Sequence, residues 1–256
     1  MTEEYKKYRK KRLVRRAIII SVQLGILGAF FGFWQLFAST GVIDAFMFSS
    51  PSRIVNAAGQ INLWGHIWAS VSMVLLGFFM SMVFGVVIAL LLYQSSIVRR
   101  ICDPYISVLN AIPKVALGPM LIIWFGANND AILAMCILVC TFAVIIAMLD
   151  AFYQVDEGKL RLMKVMGANR FMVMYKLLLP ATLPVMISVA KINLGIAWIG
   201  VIMGEFLVAN RGLGYLINYG RMVFWFDLVY LSIIVLSIIA ALMYYAVAFV
   251  EKLVKR

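Results

Sequence analysis

Two ionisable side chains and a tryptophan stand at intervals of seven residues in the otherwise uncharged segment 184–207. They are Lys191, Trp198 and Glu205, and a helix would place them along one stripe that drifts by about 20° per heptad. Lys191 and Glu205 would lie about 21 Å apart along the helix axis, too far to pair with each other. Charged side chains in apolar helices usually face a bundle interior or a water-filled cavity. The stripe therefore favours a polar pathway in which Lys191 attracts an anion.

A structural alternative accounts for the same three residues. Lys191 could extend its charged end towards a membrane surface, Glu205 could hold a neighbouring loop, and Trp198 could serve packing alone. Both alternatives stay open at this point. Elsewhere on the same helix, close approach of a neighbouring helix is predicted at three small residues, which are Gly195, Gly200 and Gly204.

The residues that enzymes use for acid–base, nucleophilic or metal chemistry are scarce. The single histidine, His66, is expected to be an interfacial polar residue. The three cysteines match no metal-ligand spacing, and Cys136 and Cys140, one helical turn apart in an apolar run, are expected to be small buried residues. No G-x-x-x-x-G-K-[ST] phosphate loop occurs. We therefore predict no catalytic residue, metal site or nucleotide site in this chain, so that another chain must bind any ATP.

The composition indicates that a membrane surrounds most of the chain. Of its 256 residues, 64% are hydrophobic, and the mean hydropathy is +0.99, whereas soluble domains are about 45–50% apolar. A helix needs about 20 apolar residues to span a bilayer. The sequence predicts an all-α membrane protein with six transmembrane helices, which are Ala17–Phe37, Ser70–Leu92, Tyr105–Phe125, Ala131–Leu149, Pro184–Leu207 and Leu228–Val250.

The third of these segments is the weakest, because it contains Pro113, Lys114 and Pro119. A helix broken at Pro113 is tolerated in a membrane where the break lines a cavity or is buried in protein. The alternative is an interfacial helix, Tyr105–Ile112, that precedes a shorter span.

Basic residues are distributed unevenly between the two sides that six spans define. Eighteen of the 23 lysines and arginines fall in the N-terminal tail, in 93–104, in 150–183 and in the C-terminal tail. The other side carries Arg53, Arg211 and Arg221. Because cytoplasmic loops are enriched in Lys and Arg, both termini and the 150–183 loop are predicted to be cytoplasmic. The net charge of +12 thus reflects topology and indicates no nucleic-acid partner.

The segment 150–184 is the only long run that is neither a span nor a terminus. Gly167 suits the left-handed residue after a helix and Asn169 suits an N-cap, so the segment is predicted to form two short helices. On the first helix, Leu160, Met163 and Met166–Gly167 share one face by their i, i+3, i+4 spacing, and basic residues occupy the rest. Such a stripe is typical of a helix that docks in a groove of a partner. Packing on its own bundle is the alternative.

In this segment a glycine, Gly167, is followed thirteen residues later by the proline of Leu179-Pro180. In this spacing the segment resembles the cytoplasmic "EAA" loop in permease subunits of bacterial ATP-binding-cassette (ABC) importers. An ordered set of motifs over about 49–250 is similar to the binding-protein-dependent type I family, in its nitrate/sulfonate/taurine branch. These motifs are Ser49-Ser50-Pro51-Ser52, Asp103-Pro104, Ile112-Pro113 with Pro119, Trp124-Phe125-Gly126, Ala197-Trp198, Gly204-Glu205-Phe206 and Gly212-Leu213-Gly214. One departure is Arg161-Leu162-Met163 in place of the Glu-Ala-Ala triplet, so the contact made by that glutamate is not carried over.

The resemblance implies the type I ABC importer permease fold and a non-catalytic subunit in the bacterial plasma membrane. Its implied partners are a second permease copy, two cytoplasmic ATPase subunits that bind ATP and Mg, an extracellular or periplasmic solute-binding protein, and membrane lipid. The chain then divides into a basic cytoplasmic tail (1–16), a first transmembrane helix (17–37) and a transmembrane domain (64–250) that contains the coupling loop 150–183.

The resemblance also implies the roles of individual residues. The ATPase-coupling residues would be Leu160, Arg161, Met163, Met166, Gly167, Ala168, Leu179 and Pro180. The candidate pathway residues are Pro113, Lys114, Lys191, Trp198 and Glu205. The solute would be small and anionic or polar, such as a sulfonate, taurine or nitrate. The alternatives are a permease of another importer branch, for a vitamin or pyrimidine precursor or an amino acid, and an ATP-independent channel or facilitator.

Overall fold

Helices account for nearly all of the backbone. The computed structural model describes residues 3–254, with side chains described at residues 11, 12, 14, 15 and 17–254. Within residues 3–254 the chain forms twelve α-helices and no strand. In chain order they are α1 (Glu3–Ser39), α2 (Ala45–Phe48), α3 (Pro51–Ala58), α4 (Leu63–Gln94), α5 (Ser96–Ala111), α6 (Gly118–Phe125), α7 (Asn129–Tyr153), α8 (Glu157–Val165), α9 (Arg170–Val173), α10 (Leu179–Val208), α11 (Leu213–Met222) and α12 (Phe226–Val254).

Five segments of this described part are long and apolar enough to cross a membrane. They are Ala17–Ser39 within α1, the whole of α4, the whole of α7, the run Arg170–Val208 that ends with α10, and α12. Each contains one of the predicted spans. The all-helical membrane fold that the sequence predicts is therefore confirmed.

The third predicted span, Tyr105–Phe125, is not one straight helix, and the break that the sequence predicts at Pro113 is confirmed. The chain instead forms α5 and a second segment, Lys114–Phe125, which meet at 87°. Pro113 has no N–H, and its ring excludes the helical conformation from Ile112, whose ψ is 135°. The Lys114 ammonium bonds back across the bend to the carbonyl and side-chain oxygens of Asn110, at 3.0 and 3.1 Å.

The core of the molecule lies where α7 packs against α4 on one side and α10 on the other. Two glycines of α10 allow this approach, because an added Cβ would lie 2.8 Å from the Cα of Cys136 at Gly200 and 2.9 Å from the Cα of Ile132 at Gly204. The predicted close approach is therefore confirmed at both positions, whereas Gly195 has open space beside it. Cys136 is fully buried, as is Cys140, which confirms their interpretation as small core residues.

The bundle has two ends that carry different parts of the chain. At one, here called the loop end, α4 and α7 finish and the segment 154–178 connects α7 to α10. At the other, here called the opposite end, α4, α7 and α12 begin and α10 finishes. There Arg53 of α3 forms an ion pair with Asp227 of α12 at 3.0 Å, which fastens the connection after α1 to the bundle.

Candidate functional site

Local hydrogen bonds define both ends of α8. The Asp156 carboxylate accepts a bond from a first-turn backbone N–H at 3.0 Å and caps the N-terminus. At the C-terminus, Gly167 adopts a φ of +77°, and the N–H groups of Gly167 and Ala168 donate to the carbonyls of Lys164 and Met163, both at 3.0 Å. This pattern is a Schellman motif. The helix end predicted at Gly167 is therefore confirmed.

The second short helix leads directly into the span that contains α10. Asn169 accepts a bond from the Met172 N–H at 2.8 Å and caps α9, as predicted. Between α9 and α10 lies one π-helical turn, Met174–Leu178. Pro180 lacks the N–H that would bond to the carbonyl of Lys176, and a wider turn at this point accommodates that loss. Leu179-Pro180 thus marks the start of regular α-helix.

α8 exposes a different apolar face from the one predicted. Leu160 packs against the hydrophobic core and Met163 is half-buried, whereas Leu162, Val165 and Met166 are 60%, 85% and 73% exposed. The three exposed side chains follow i, i+3, i+4 spacing and so share one face, here called the outer face of α8. Both faces fit the same periodicity, and only the position of the bundle decides which of them is free.

Arg161 stands beside the outer face and takes part in no buried contact. Its guanidinium lies 3.1 Å from the carboxylate of Glu157, and both side chains are about four-fifths exposed, at 79% and 81%. Such a surface pair contributes little to stability. Arg161 therefore remains available to a partner.

Glu205 is an anchor for the loop that follows α10. Its side chain is 2% exposed. One carboxylate oxygen accepts a bond from the Ser70 hydroxyl at 2.6 Å, and the other accepts from the Gly214 N–H at 2.7 Å. The Ser70 oxygen in turn accepts from the Leu213 N–H at 2.7 Å. The loop 209–212 and the start of α11 are thereby held to both α4 and α10.

His66 extends this network on the surface of the opposite end. Its Nδ1 accepts a bond from the Gly212 N–H at 3.2 Å, and its ring stacks on that of Tyr215 with 5.9 Å between centroids. These partners of His66 were not predictable from the sequence, since they lie far along the chain.

Lys191 belongs to a polar cluster that joins α10 to the end of α12. Its ammonium lies 2.7 Å from one carboxylate oxygen of Glu251, and Ser188 donates to the other at 2.8 Å. The ammonium also lies 5.8 Å from the centre of the Tyr244 ring. Glu251 is a residue that the sequence interpretation missed, because it follows the last predicted span.

The other candidate pathway residues lie in different surroundings. Trp198 is 5% exposed, and its buried indole N–H has no hydrogen-bond partner among the described residues. Lys114 lies at the bend after Pro113, with its ammonium bonded to Asn110 and 6.0 Å from the centre of the Phe142 ring. Within one chain, Lys191, Trp198 and Glu205 therefore do not form a common cluster.

A cavity of about 380 Å³ opens beside Glu205 at the opposite end, and Trp68, Asn129 and Arg211 help to line it. Its lining mixes charged, amide and aromatic groups. Among the side chains that the structure describes, no group of three or more His, Cys, Asp or Glu residues could hold a metal ion.

Residues 81–256 match the family described as binding-protein-dependent transport system inner membrane components. The chain belongs to this family. It is the membrane-spanning permease subunit of a bacterial ATP-driven importer, and the bent segment, the loop end and the buried core described above are parts of a transport protein of the inner membrane. Its spans place it in that membrane as a multi-pass protein.

Relatives in bacteria match along nearly the whole permease. A probable ABC transporter permease of Haemophilus influenzae is 28% identical over 93% of this chain and 95% of the relative. The taurine transport system permease TauC of Escherichia coli is 26% identical over 88% of this chain and 85% of the relative. A putative aliphatic sulfonates transport permease of Bacillus subtilis, SsuC, is 27% identical over 91% of this chain and 82% of the relative.

Solved structures share the fold at lower identity. The methionine ABC transporter MetNI in an inward-facing conformation has a chain that matches with a TM-score of 0.68 and 20% identity, over 76% of this chain and 96% of that one. A chain of a bacterial ABC transporter involved in the import of the acidic polysaccharide alginate matches with a TM-score of 0.69 and 14% identity. The match covers 96% of this chain and 100% of that one. These likenesses confirm the ABC importer permease fold.

Proposed function

We propose that two copies of this permease form the translocation pathway and that α8 docks on a cytoplasmic ATPase subunit through its outer face. The observation that carries this proposal is the exposure of Leu162, Val165 and Met166, at 60–85%, on a helix fixed at both ends by its own caps. An apolar patch rimmed by polar residues marks an interaction site, and an apolar stripe on a short helix suits a groove. ATP and Mg bind to the ATPase in this proposal.

The loop end lies in the cytoplasm in this proposal. The support is the charge distribution, since 18 of the 23 basic residues fall on the side of the loop end and the termini and cytoplasmic loops carry such an excess. An ATPase that meets the outer face must be on that same side. A binding protein would then deliver solute at the opposite end, beside the cavity of Glu205 and Arg211.

Docking is tested by co-purification of the ATPase from mild detergent. Val165→Glu/Met166→Glu places two charges on the outer face, and we expect the ATPase to be lost. Lys159→Glu is the matched control, because it changes the net charge of the same helix by the same amount at an exposed polar position. Equal recovery of the ATPase with both variants would reject the outer face as the docking surface.

The solute in this proposal is a small organic anion of the sulfonate class. Two relatives are named for taurine and for aliphatic sulfonates, and this permease has an intramembrane cation that could attract such a group. Lys114 has no carboxylate partner among the described residues, whereas the charge of Lys191 is balanced by Glu251. We therefore assign the attraction of the anion to Lys114, at the bend of the broken span.

Uptake by the reconstituted importer, with its ATPase and binding protein, tests this assignment. Loss of a charge-assisted hydrogen bond weakens binding by about tenfold or more, so we expect Lys114→Met to raise the KM for an alkanesulfonate by that factor. Lys114→Arg retains the charge and should retain most of the affinity. Unchanged uptake in Lys114→Met would show that the anion takes another route.

A further inference from the structure

A second cavity lies at the loop end, on the side of α8 that faces the bundle. Its volume is about 390 Å³. The helix α8, the turn after it and the ends of α4 and α7 enclose it, and Leu160 and Leu178 supply part of its apolar floor. The outer face of α8 points away from it. This cavity is therefore separate from the docking surface proposed above, and nothing in the transport function so far uses it.

Two cations without a carboxylate partner line this cavity, and they are Lys164 and Arg170. The Lys164 ammonium has no hydrogen-bond or ion-pair partner among the described side chains. Arg170 donates one bond, at 3.3 Å, to the carbonyl of Gln94, which leaves most of its N–H groups free. No acidic side chain is among the described lining residues. The positive charge is thus available for an anionic ligand.

The position of the cavity, at the ends of two spans, indicates what kind of anion it can bind. Gln94 and Tyr153 are the last residues of α4 and α7, and both line the cavity together with Tyr93. The ends of two spans mark the boundary between bilayer and water, where tyrosines are enriched. The combination of tyrosines and cations above an apolar floor therefore fits the headgroup level of a bilayer.

We propose that this cavity binds the headgroup of an anionic phospholipid. The phosphate would contact Lys164 and Arg170, and the first part of the acyl region would lie against the apolar floor and the tyrosine rings. Basic pockets between transmembrane helices are suited to such headgroups. Because Lys164 and Arg170 belong to α8 and α9, the bound lipid would brace the coupling loop against the bundle. The proposal does not depend on which solute the importer carries.

Native mass spectrometry of the full chain in a neutral detergent tests the proposal. The probes are short-chain phosphatidylglycerol, short-chain phosphatidylcholine and inorganic phosphate. We expect the wild-type chain to retain phosphatidylglycerol, and Lys164→Gln/Arg170→Gln to bind it about thirtyfold more weakly, given the usual contribution of each of the two basic residues near a membrane surface. Lys164→Arg/Arg170→Lys keeps both charges and should bind like the wild type.

A second double variant controls for the general charge of the loop. Lys159→Gln/Lys176→Gln removes the same number of charges from exposed positions outside the cavity, and we expect it to bind within about twofold of wild type. Equal losses of affinity for phosphatidylglycerol in the two Gln variants would show that the lipid binds through the general surface charge and not in the cavity. Equal retention of phosphatidylcholine, or displacement by inorganic phosphate at the same concentration as the lipid, would overturn the assignment to an anionic phospholipid.

Discussion

Gly212 occupies a position at the opposite end where both the backbone conformation and the space beside it favour glycine. Its φ is +112°, and a Cβ at this position would overlap the carboxylate of Glu205. We expect Gly212→Ala to lower the stability of the permease by about 2 kcal/mol, because backbone strain alone costs about 1–3 kcal/mol. Thermal unfolding in detergent measures the change. Gly195→Ala is the control, since nothing lies within 4 Å of its added Cβ, and an equal effect of both changes would refute this account.

The ion pair between Lys191 and Glu251 allows a prediction about the contribution of charge to stability. Removing one partner of a partly buried ion pair leaves the charge of the other less well balanced, whereas removing both charges keeps the site neutral. We therefore expect Lys191→Met and Glu251→Gln each to lower the Tm more than Lys191→Met/Glu251→Gln does. A full double-mutant cycle in detergent gives the coupling. Additive effects of the two single changes would mean that the 2.7 Å contact contributes nothing.

The sequence predicts part of this chemistry from spacing alone. The positions of Lys191 and Glu205 on one helix exclude a pair between them, and the structure gives each a different partner. The partners themselves were not predictable, because Glu251 is 60 residues from Lys191 and Ser70 is 135 residues from Glu205. Contacts of that separation depend on how helices pack, which a periodicity does not encode.

Among the helices, α8 depends on the backbone of Gly167. Its φ of +77° closes the Schellman motif, and nothing lies within 4 Å of an added Cβ, so a substitution there tests backbone conformation alone. We expect Gly167→Ala to cost about 1 kcal/mol and to leave ATP hydrolysis only loosely linked to uptake. Gly167→Asn should be milder, because asparagine tolerates the left-handed region. Simultaneous assays of hydrolysis and uptake measure the ratio, and an unchanged ratio in Gly167→Ala would contradict a coupling role.

Hydrophobic periodicity predicts the long helices well and orients the short one poorly. Each long apolar run has only one compatible structure at the length of a bilayer, so five spans follow from composition. The third predicted span is bent at Pro113, where the sequence predicts a break because proline has no N–H. On α8, two apolar faces fit the same spacing, and only the bundle that covers Leu160 shows that Val165 and Met166 are free.

The chain as a whole combines a tightly packed core with one helix that stands apart. The most apolar 18-residue window within Ala17–Ser39 contains no residue that is buried within the chain, and α1 reaches the rest through α2, α3 and a contact between the rings of Trp34 and Tyr230, 5.8 Å between centroids. The sequence indicates a span here but not its separation from the core, because a lipid-facing helix and a core-facing helix are both apolar.

The orientation of the whole permease rests on its basic residues and gives a last prediction. With the loop end in the cytoplasm, a cysteine at Lys159 should react with a membrane-impermeant maleimide only after lysis, and one at Arg211 should react in intact spheroplasts. Cys102→Ala provides the background, since Cys136 and Cys140 are fully buried. Deleting residues 6–16, which include most of the N-terminal positive charge, should increase the fraction of Lys159→Cys labelled from outside, because positive charge holds that side in the cytoplasm. Labelling of Lys159→Cys in intact spheroplasts without the deletion would show that the loop end lies outside the cell. A cytoplasmic ATPase could then not reach the outer face of α8.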